Sequence, residues 1–379
     1  YVRPHFVASQ WRAYQEVNEQ FADAILEAVG DEPAIVLLQD FHLALAAAAL
    51  RRRRPELAIV LFWHVPWPNP EVFRILPWAR EILDGLLACD LVGFHIQHHG
   101  MNFIDTVAME LEARVDQERQ AILRRGHRTF VRAYPISPDS AEISMASSEP
   151  WAIRAAEALR ETYDLGDTRV VLGVDRLDYT KGIPERLAAY ERFLELNPEA
   201  AEETSFIQIG VPSRVDLAEY QSLGAEVEAG VARLNERFGG RRGRIVHLIT
   251  QNLDFRELIP YYVLADVLAV TSLHDGMNLV AKEYVASRVN RDGVLILSPY
   301  TGAARELEHA IQVSPYDVEA SAAAIARALA MPESEQAERM RSLREVVAAR
   351  NIYDWASKMF RDIKRLHLAP GGFSLARRR

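Results

Sequence analysis

Apolar residues in this chain fall into two kinds of run that alternate almost without interruption. Short runs at 34–38, 58–65, 91–94, 169–174, 205–210, 244–249, 267–271 and 294–297 are apolar along most of their length instead of at every second position. That pattern predicts strands buried on both faces. Longer stretches at 18–29, 43–53, 72–88, 101–115, 184–196, 217–238, 256–264, 279–288, 320–330, 335–349 and 353–366 repeat their apolar positions three and four residues apart and predict helices. Alternation of this kind predicts an α/β protein with parallel sheets covered by helices on both faces.

The pattern thins between residues 117 and 148, where Arg124-Arg125-Gly126-His127-Arg128 and Pro135-Ile136-Ser137-Pro138-Asp139-Ser140 break it. A domain boundary is therefore expected near residue 140. Residues 1–140 would form one doubly wound, Rossmann-like domain and residues 141–350 a second. Residues 351–379 would supply a helix returning to the first domain and a basic tail. Two such domains facing each other by the carboxyl edges of their sheets would gather their polar loops in one cleft. The first domain reads as incomplete at its N-terminus: it opens on a helix signal where a doubly wound fold opens on a strand and a Gly-rich loop. The chain, beginning at Tyr1, reads as truncated or trimmed. The helical stretches 217–238 and 335–349 are expected to face this chain's own core, although a neighbouring copy is an alternative.

Composition narrows the class. The 379 residues are 49% hydrophobic and 26% charged, the balance of a globular protein of about two domains. A formal net charge of −9 argues against a general nucleic-acid or membrane-surface binder. The basic runs 51–54 and 377–379 read as a solvated helix end and a tail. The single cysteine, Cys89, excludes an intramolecular disulfide and fits a reducing, cytoplasmic compartment. It lies in Leu86-Leu87-Ala88-Cys89 and reads as a small core residue. No run approaches the roughly twenty apolar residues that span a bilayer.

The chemistry collects where predicted strands end. After 267–271 comes Ser272-Leu273-His274-Asp275-Gly276-Met277-Asn278-Leu279-Val280-Ala281-Lys282-Glu283-Tyr284, a polar Gly-containing turn that opens a helix. Backbone N–H groups at such a helix start can hold a phosphate. Glu283, one turn in, is placed to accept hydrogen bonds from ribose hydroxyls. After 169–174 comes Gly173-Val174-Asp175-Arg176-Leu177-Asp178-Tyr179-Thr180-Lys181-Gly182. Arg176 can fork two oxygens and Lys181 adds a point charge five residues on, which suits a diphosphate. Asp175 and Asp178 are expected to orient these two cations. Arg214, past the strand 205–210, is a candidate for a second phosphate, and His274 faces the same rim as Asp275.

In the first domain, Gln39-Asp40-Phe41-His42-Leu43 and His64-Val65-Pro66-Trp67-Pro68 put a carboxylate and imidazoles at strand ends, where sugar hydroxyls can be read. Trp63, Trp67 and Trp78 are candidate stacking platforms for sugar rings, or else packing anchors. His95, His98 and His99 lack a carboxylate or cysteine partner at metal spacing, so no metal site is expected. No nucleophile elbow, Cys–His pairing or Walker-type loop is present. The expected chemistry is positioning and charge stabilisation of a diphosphate leaving group.

Taken together, these motifs resemble the trehalose-6-phosphate synthase family (glycosyltransferase family 20), retaining glucosyltransferases of GT-B fold with two facing Rossmann-like domains. The resemblance runs from about Trp11 to Leu366. Its carriers are Trp11-x-x-Tyr14-x-x-Val17-Asn18, Asp40-Phe41-His42-Leu43, His64-Val65-Pro66-Trp67-Pro68, Asp90-Leu91-Val92-Gly93-Phe94, the run from Asp175 to Gly182, Pro212-Ser213-Arg214 and the run from Asp275 to Tyr284. The resemblance implies that Arg176 and Lys181 hold the donor diphosphate and stabilise the leaving group. It implies that the backbone of Asn278, Leu279 and Val280 assists and that Glu283 takes the ribose hydroxyls. His64 with Asp275, Gly276 and Met277 would hold the donor glucose, Asp40 would contact the reacting sugars, and Arg214 would bind the phosphate of glucose 6-phosphate. The implied reaction is same-face substitution, with a phosphate oxygen accepting the acceptor's proton. It requires no metal, cofactor or protein nucleophile, the nucleotide-glucose being a substrate.

Some positions depart from the family. Phe41 stands for a usual Tyr and Trp67 for a usual Phe. Pro299-Tyr300-Thr301-Gly302-Ala303-Ala304 replaces a more polar segment, and the stretch 117–132 resembles an insertion. The expected reaction is transfer of glucose from UDP-, ADP- or GDP-glucose to glucose 6-phosphate, giving α,α-trehalose 6-phosphate, by a protein that could form a homo-oligomer. The alternatives are a related synthase with another acceptor, making glucosylglycerol phosphate or a pseudo-sugar, and a non-catalytic subunit that senses nucleotide-sugar.

Overall fold

The computed structural model describes residues 4–368. They divide into two compact units, one ending at Pro135 and taking up the chain again from Trp355, the other spanning Ile136–Asp354. Each unit is built on its own sheet.

In the first unit the strands are β1 (Ile35–Gln39), β2 (Ala58–Phe62), β3 (Leu91–Phe94), β4 (Arg114–Asp116), β5 (Ala121–Arg124) and β6 (His127–Ala133). They lie in the order β1-β2-β3-β6-β5-β4. The pairs from β1 to β6 are parallel, whereas β4, β5 and β6 form an antiparallel edge. Every residue of β2 and β3 is buried, as their unbroken apolar sequences require. One face packs with Leu50, Leu83, Leu86, Phe103 and Val107 from the covering helices. On the other, Met359 and Ile363 of the C-terminal helix Ile352–Leu368 join Val60, Phe62, Leu91 and Tyr134. Cys89 is fully buried in the first of these layers, beside Leu86 and Phe103, and burial raises its thiol pKa far above the ordinary range. The N-terminal helix Ala8–Val29 is ten residues longer at its start than its apolar stripe predicts.

The second unit carries β7 (Arg169–Arg176), β8 (Thr204–Val211), β9 (Val246–Ile249), β10 (Val267–Val270), β11 (Val294–Leu297) and β12 (Ile311–Gln312). All pairs are parallel, in the order β12-β11-β10-β7-β8-β9. Chain order therefore reverses between β7 and β10, and loops leaving these neighbours diverge to opposite sides of the sheet. That leaves a crevice at their carboxyl ends. Two apolar layers sandwich this sheet, one containing Leu172, Leu268, Tyr262, Tyr284 and Leu343, the other Val171, Phe206, Tyr190, Val227 and Ile325. The helices Ala218–Phe238 and Glu333–Ala349 both bury their apolar faces in these layers.

Several predicted elements differ. The stretch 72–88 is two helices, Pro70–Phe73 and Ala79–Leu86, because Pro77 cannot donate to a continuous helix. The helix predicted over 101–115 runs Gln97–Glu110 and gives way to β4. The stretch 117–132 holds the β5–β6 hairpin around Arg125 and Gly126, both with positive φ. Residues 140–148 and 150–162 are helices. Hairpin strands at a sheet edge carry mixed polarity, so their periodicity is weak. The basic run 377–379 lies outside the described residues. Among the described residues, no helix is long and apolar enough to cross a membrane.

A buried ion cluster closes the second unit near both ends of its chain segment. The Lys282 ammonium, on helix Leu279–Ser287, lies 2.5 Å from Glu306 and donates to the Ile136 carbonyl at 2.8 Å. Arg350 reaches the other Glu306 oxygen at 2.6 Å. The Lys282 and Glu306 side chains are only 2% and 4% exposed. Removing Lys282 would leave one desolvated Glu306 oxygen without its cation, Arg350 holding only the other. Lys282→Met is therefore expected to destabilise the fold by about 3 kcal/mol. Adding Glu306→Gln to it should recover part of the loss, as read by urea denaturation.

Candidate active site

The loops after β7 and β10 are joined directly across the crevice. Leu273 and His274 donate their backbone N–H groups to the Thr180 carbonyl at 2.7 and 3.3 Å, and the Thr271 hydroxyl donates to the Gly182 carbonyl at 2.9 Å. Gly182 has φ +62°, and a Cβ there would sit 2.2 Å from the Thr271 carbonyl oxygen. Only glycine permits this approach at this angle. The Lys181 ammonium is thereby brought 2.7 Å from an Asp275 carboxylate oxygen that also accepts from Asn278 Nδ2 at 3.1 Å. Burial favours the neutral amine, but Asp275 and Asp175 outweigh it and hold the Lys181 pKa above the ordinary lysine value. The cation is therefore permanent near neutral pH.

Beneath this pair lies a buried guanidinium, Arg186, which is not among the candidate residues named from the sequence. Arg186 Nη1 donates to Asp175 at 2.7 Å and to Gln208 Oε1 at 2.9 Å; its Nε donates to the Thr271 hydroxyl at 3.0 Å. Its Nη2 reaches the Lys181 carbonyl at 3.4 Å. Asp175 thus orients Arg186, not Arg176 as expected, because its side chain points into the sheet. Burial raises the Asp175 pKa even against the nearby Arg186 and Lys181. Asp178 likewise departs from expectation. Its Oδ1 accepts from the N–H and hydroxyl of Thr180 at 2.9 and 2.7 Å, capping the turn instead of holding a cation. Burial opposes its charged form, but the Thr180 hydrogen bonds and the Lys181 and Arg176 charges depress its pKa. Arg176 itself is exposed at the end of β7, close enough for its charge to act on both Lys181 and Asp178. A signal for Arg186 was present: it shares the buried helical stripe of Ile183, Leu187 and Tyr190, where a lone Arg needs a partner.

At the start of helix Leu279–Ser287, Asn278 adopts φ +76° and caps the Ala281 N–H at 2.9 Å. The Leu279 and Val280 N–H groups precede the intrahelical ladder and point off the helix end. The Met277 side chain is 3% exposed and packed in the core, so this residue and Gly276 offer backbone only. Glu283 is half-buried and accepts from the Tyr262 hydroxyl at 2.8 Å. Burial raises its pKa, with the Tyr262 bond opposing. Arg214, exposed after β8 with φ +49°, donates to the Tyr220 hydroxyl at 2.9 Å.

In the first unit, Asp40 follows β1 with φ +66° and ψ −179°, a conformation costly for any residue but glycine. Its Oδ1 accepts the His64 N–H at 3.0 Å. The turn beyond it is held from helix Ala8–Val29: the Tyr14 hydroxyl donates to the Phe41 carbonyl at 2.6 Å, and Asn18 Oδ1 accepts from Leu45 and Ala46. His64 Nε2 lies 2.7 Å from Gln39 Oε1. Burial lowers the His64 pKa, with the Asp40 charge opposing; in the tautomer that donates Nε2–H to the Gln39 oxygen, Nδ1 is an acceptor. Trp63 and Trp67 are not sugar platforms. They are 7% and 1% exposed, and the Trp67 indole donates to Thr106 at 3.0 Å within the core. Trp78 stacks on Trp11 with ring centroids 4.8 Å apart. Among the described residues, no group of His, Cys, Asp and Glu is arranged to hold a metal ion.

Gly182→Ala adds both a strained φ and a collision with backbone. Its cost is expected to be about 1–3 kcal/mol from the φ alone. It should lower affinity for a nucleoside diphosphate by about tenfold or more, by calorimetry, because Lys181 leaves Asp275.

Comparison with known proteins gives the family and the fold. The family model of glycosyltransferase family 20 matches residues 2–365. The trehalose-6-phosphate synthase of Mycobacterium tuberculosis is 40% identical over 365 residues, 94% of this chain and 72% of that protein. An α,α-trehalose-phosphate synthase (UDP-forming) from Burkholderia xenovorans, in complex with glucose-6-phosphate, superposes with a TM-score of 0.90 at 32% identity. That match covers 95% of this chain and 79% of the other. The E. coli trehalose-6-phosphate structure bound with UDP-2-fluoro glucose matches with a TM-score of 0.90 at 32% identity, over 95% of this chain and 79% of that one. With the family's motifs on the strand ends of two Rossmann-like sheets, this chain belongs to glycosyltransferase family 20, whose fold and glycosyltransferase chemistry it shares.

Proposed function

We propose that this protein transfers glucose from UDP-glucose to glucose 6-phosphate with retention, forming α,α-trehalose 6-phosphate and UDP. One observation carries the reading: Lys181 and the turn from Asp275 to Asn278 meet at the crevice between β7 and β10, 2.7 Å apart. A fixed cation and outward backbone N–H groups there suit a diphosphate. The relatives characterised with UDP-sugar and glucose-6-phosphate support the choice of substrates.

In the proposed reaction the bond from the anomeric carbon to the diphosphate oxygen breaks and the electron pair leaves with UDP. Lys181 and Arg176 balance the charge that develops, with the Leu279 and Val280 N–H groups alongside. The acceptor hydroxyl forms the new bond on the face that UDP vacates and passes its proton to a phosphate oxygen of UDP. Glu283 binds the ribose hydroxyls, Asp275 and the backbone of Gly276 and Met277 the donor glucose, and Arg214 the acceptor phosphate. Asp40 and neutral His64 read sugar hydroxyls. ADP- and GDP-glucose present the same ribose and diphosphate, so calorimetry against the three nucleotide-glucoses fixes the base. We assign no metal or cofactor a role.

Lys181→Ala is expected to lower kcat by about 10²–10³ with glucose 6-phosphate as acceptor, while the circular dichroism spectrum keeps its α/β form. Retention of most activity would sink the diphosphate assignment. Donor affinity should also fall on the acid side. The raised Glu283 pKa means that its carboxylate takes up a proton at a higher pH than an ordinary glutamate, and a protonated Glu283 no longer accepts from both ribose hydroxyls. Lys181, with its pKa raised, keeps its charge throughout. Calorimetry from about pH 8 down to about pH 5 should show UDP-glucose affinity declining, and Glu283→Gln should flatten that decline.

A further inference from the structure

The arginine placed on the acceptor phosphate is not free to choose its direction. Arg214 is exposed and lies on a loop with positive φ, where a long side chain would sample many rotamers. Its Nη1 donates to the Tyr220 hydroxyl at 2.9 Å, and its guanidinium carbon lies 5.5 Å from the Tyr220 ring centroid. Tyr220 is 7% exposed, in the first turn of helix Ala218–Phe238. Its hydroxyl gives its own proton to Asp178 Oδ2 at 3.3 Å. A hydroxyl has one proton to donate, so a carboxylate that takes it leaves the lone pairs to Arg214 and makes them better acceptors. The other Asp178 oxygen is fixed by Thr180, in the loop that carries Lys181. The three side chains form a directed relay from the diphosphate loop after β7 to the guanidinium after β8. Burial and the Asp178 charge raise the Tyr220 pKa, so its hydroxyl stays protonated and able to donate.

From this geometry we infer that Tyr220 is a positioning residue for acceptor recognition: with Asp178 it turns the Arg214 guanidinium so that its unbonded edge meets the acceptor's phosphate at a set distance from Lys181. The inference rests on the proposed acceptor role of Arg214. It adds that selectivity for a phosphorylated over an unphosphorylated sugar is set from the diphosphate loop.

The test compares Tyr220→Phe, Arg214→Ala and the double variant in the full chain, with glucose 6-phosphate and with glucose as acceptors. Tyr220→Phe keeps the ring and deletes both hydrogen bonds. It is expected to raise KM for glucose 6-phosphate by about tenfold while kcat and calorimetric UDP-glucose affinity move less than about twofold. Preference for glucose 6-phosphate over glucose should shrink by a similar factor. In the Arg214→Ala background the same change should add little further loss. Asp178→Asn keeps an acceptor for Thr180 while weakening the bond from Tyr220. It serves as a second arm should Tyr220→Phe fold poorly, and should raise the same KM to a smaller extent. If Arg214→Ala raises KM and neither Tyr220→Phe nor Asp178→Asn does, the positioning role is wrong. A Tyr220→Phe enzyme that loses donor affinity, kcat and thermal stability together would also overturn it, by showing a structural role. If Arg214→Ala itself leaves the glucose 6-phosphate KM in place, the acceptor assignment falls instead.

Discussion

The second unit depends on a buried guanidinium at the point where its sheet reverses direction. Arg186 is 1% exposed, and taking its charge out of water would be prohibitive without partners. Asp175 from β7, Gln208 from β8, Thr271 after β10 and the Lys181 carbonyl supply them together. Gly173 makes the room: a Cβ there would lie 2.4 Å from both the Arg186 nitrogen and the Gln208 oxygen. One side chain thus ties three adjacent strands at their carboxyl ends. Such a network contributes little net stability once desolvation is counted, but it admits few alternative geometries.

That rigidity is what the loop above requires. Lys181 must keep a full positive charge while mostly removed from water, and burial alone would work against it. Asp175 below and Asp275 beside it reverse the balance. The same Asp275 oxygen accepts from Asn278, which caps the helix whose N–H groups face the crevice. Cation and helix start are therefore set by one carboxylate. A diphosphate would meet a site already oriented, with little reorganisation left for the reacting complex.

Local strain follows the same logic. Asp40, Arg214 and Asn278 all adopt positive φ without being glycine; Asp40 follows a strand, Asn278 opens a helix and Arg214 lies in the loop after β8, each beside candidate site groups. Each is held by named bonds: Asp40 through the His64 N–H and a turn secured by Tyr14 and Asn18, Arg214 through Tyr220, Asn278 through its own cap on Ala281. Strained conformations persist where their surroundings over-determine them, and they recur where a side chain must point away from the easy direction.

The sequence by itself determined the α/β class, the buried parallel strands and the placing of charged turns after them, because doubly buried strands leave unbroken apolar runs and polar loops must follow. It also marked the run from Asp175 to Gly182 and the run from Asp275 to Tyr284 as candidates for phosphate binding, through cations and a helix start at strand ends. It did not determine partners. Asp175 and Arg176 are neighbours in sequence yet face opposite sides of β7, so adjacency suggested a pairing that the alternation of a strand forbids. Trp67 beside two prolines looked like a platform and is core, and the β5–β6 hairpin left no strong period at a mixed-polarity edge. Arg186 with Gln208, Tyr220 with Asp178, and Lys282 with Glu306 lie 22, 42 and 24 residues apart. Only the tertiary structure decided those pairings, because the free energy of a buried charge is set by what surrounds it in space.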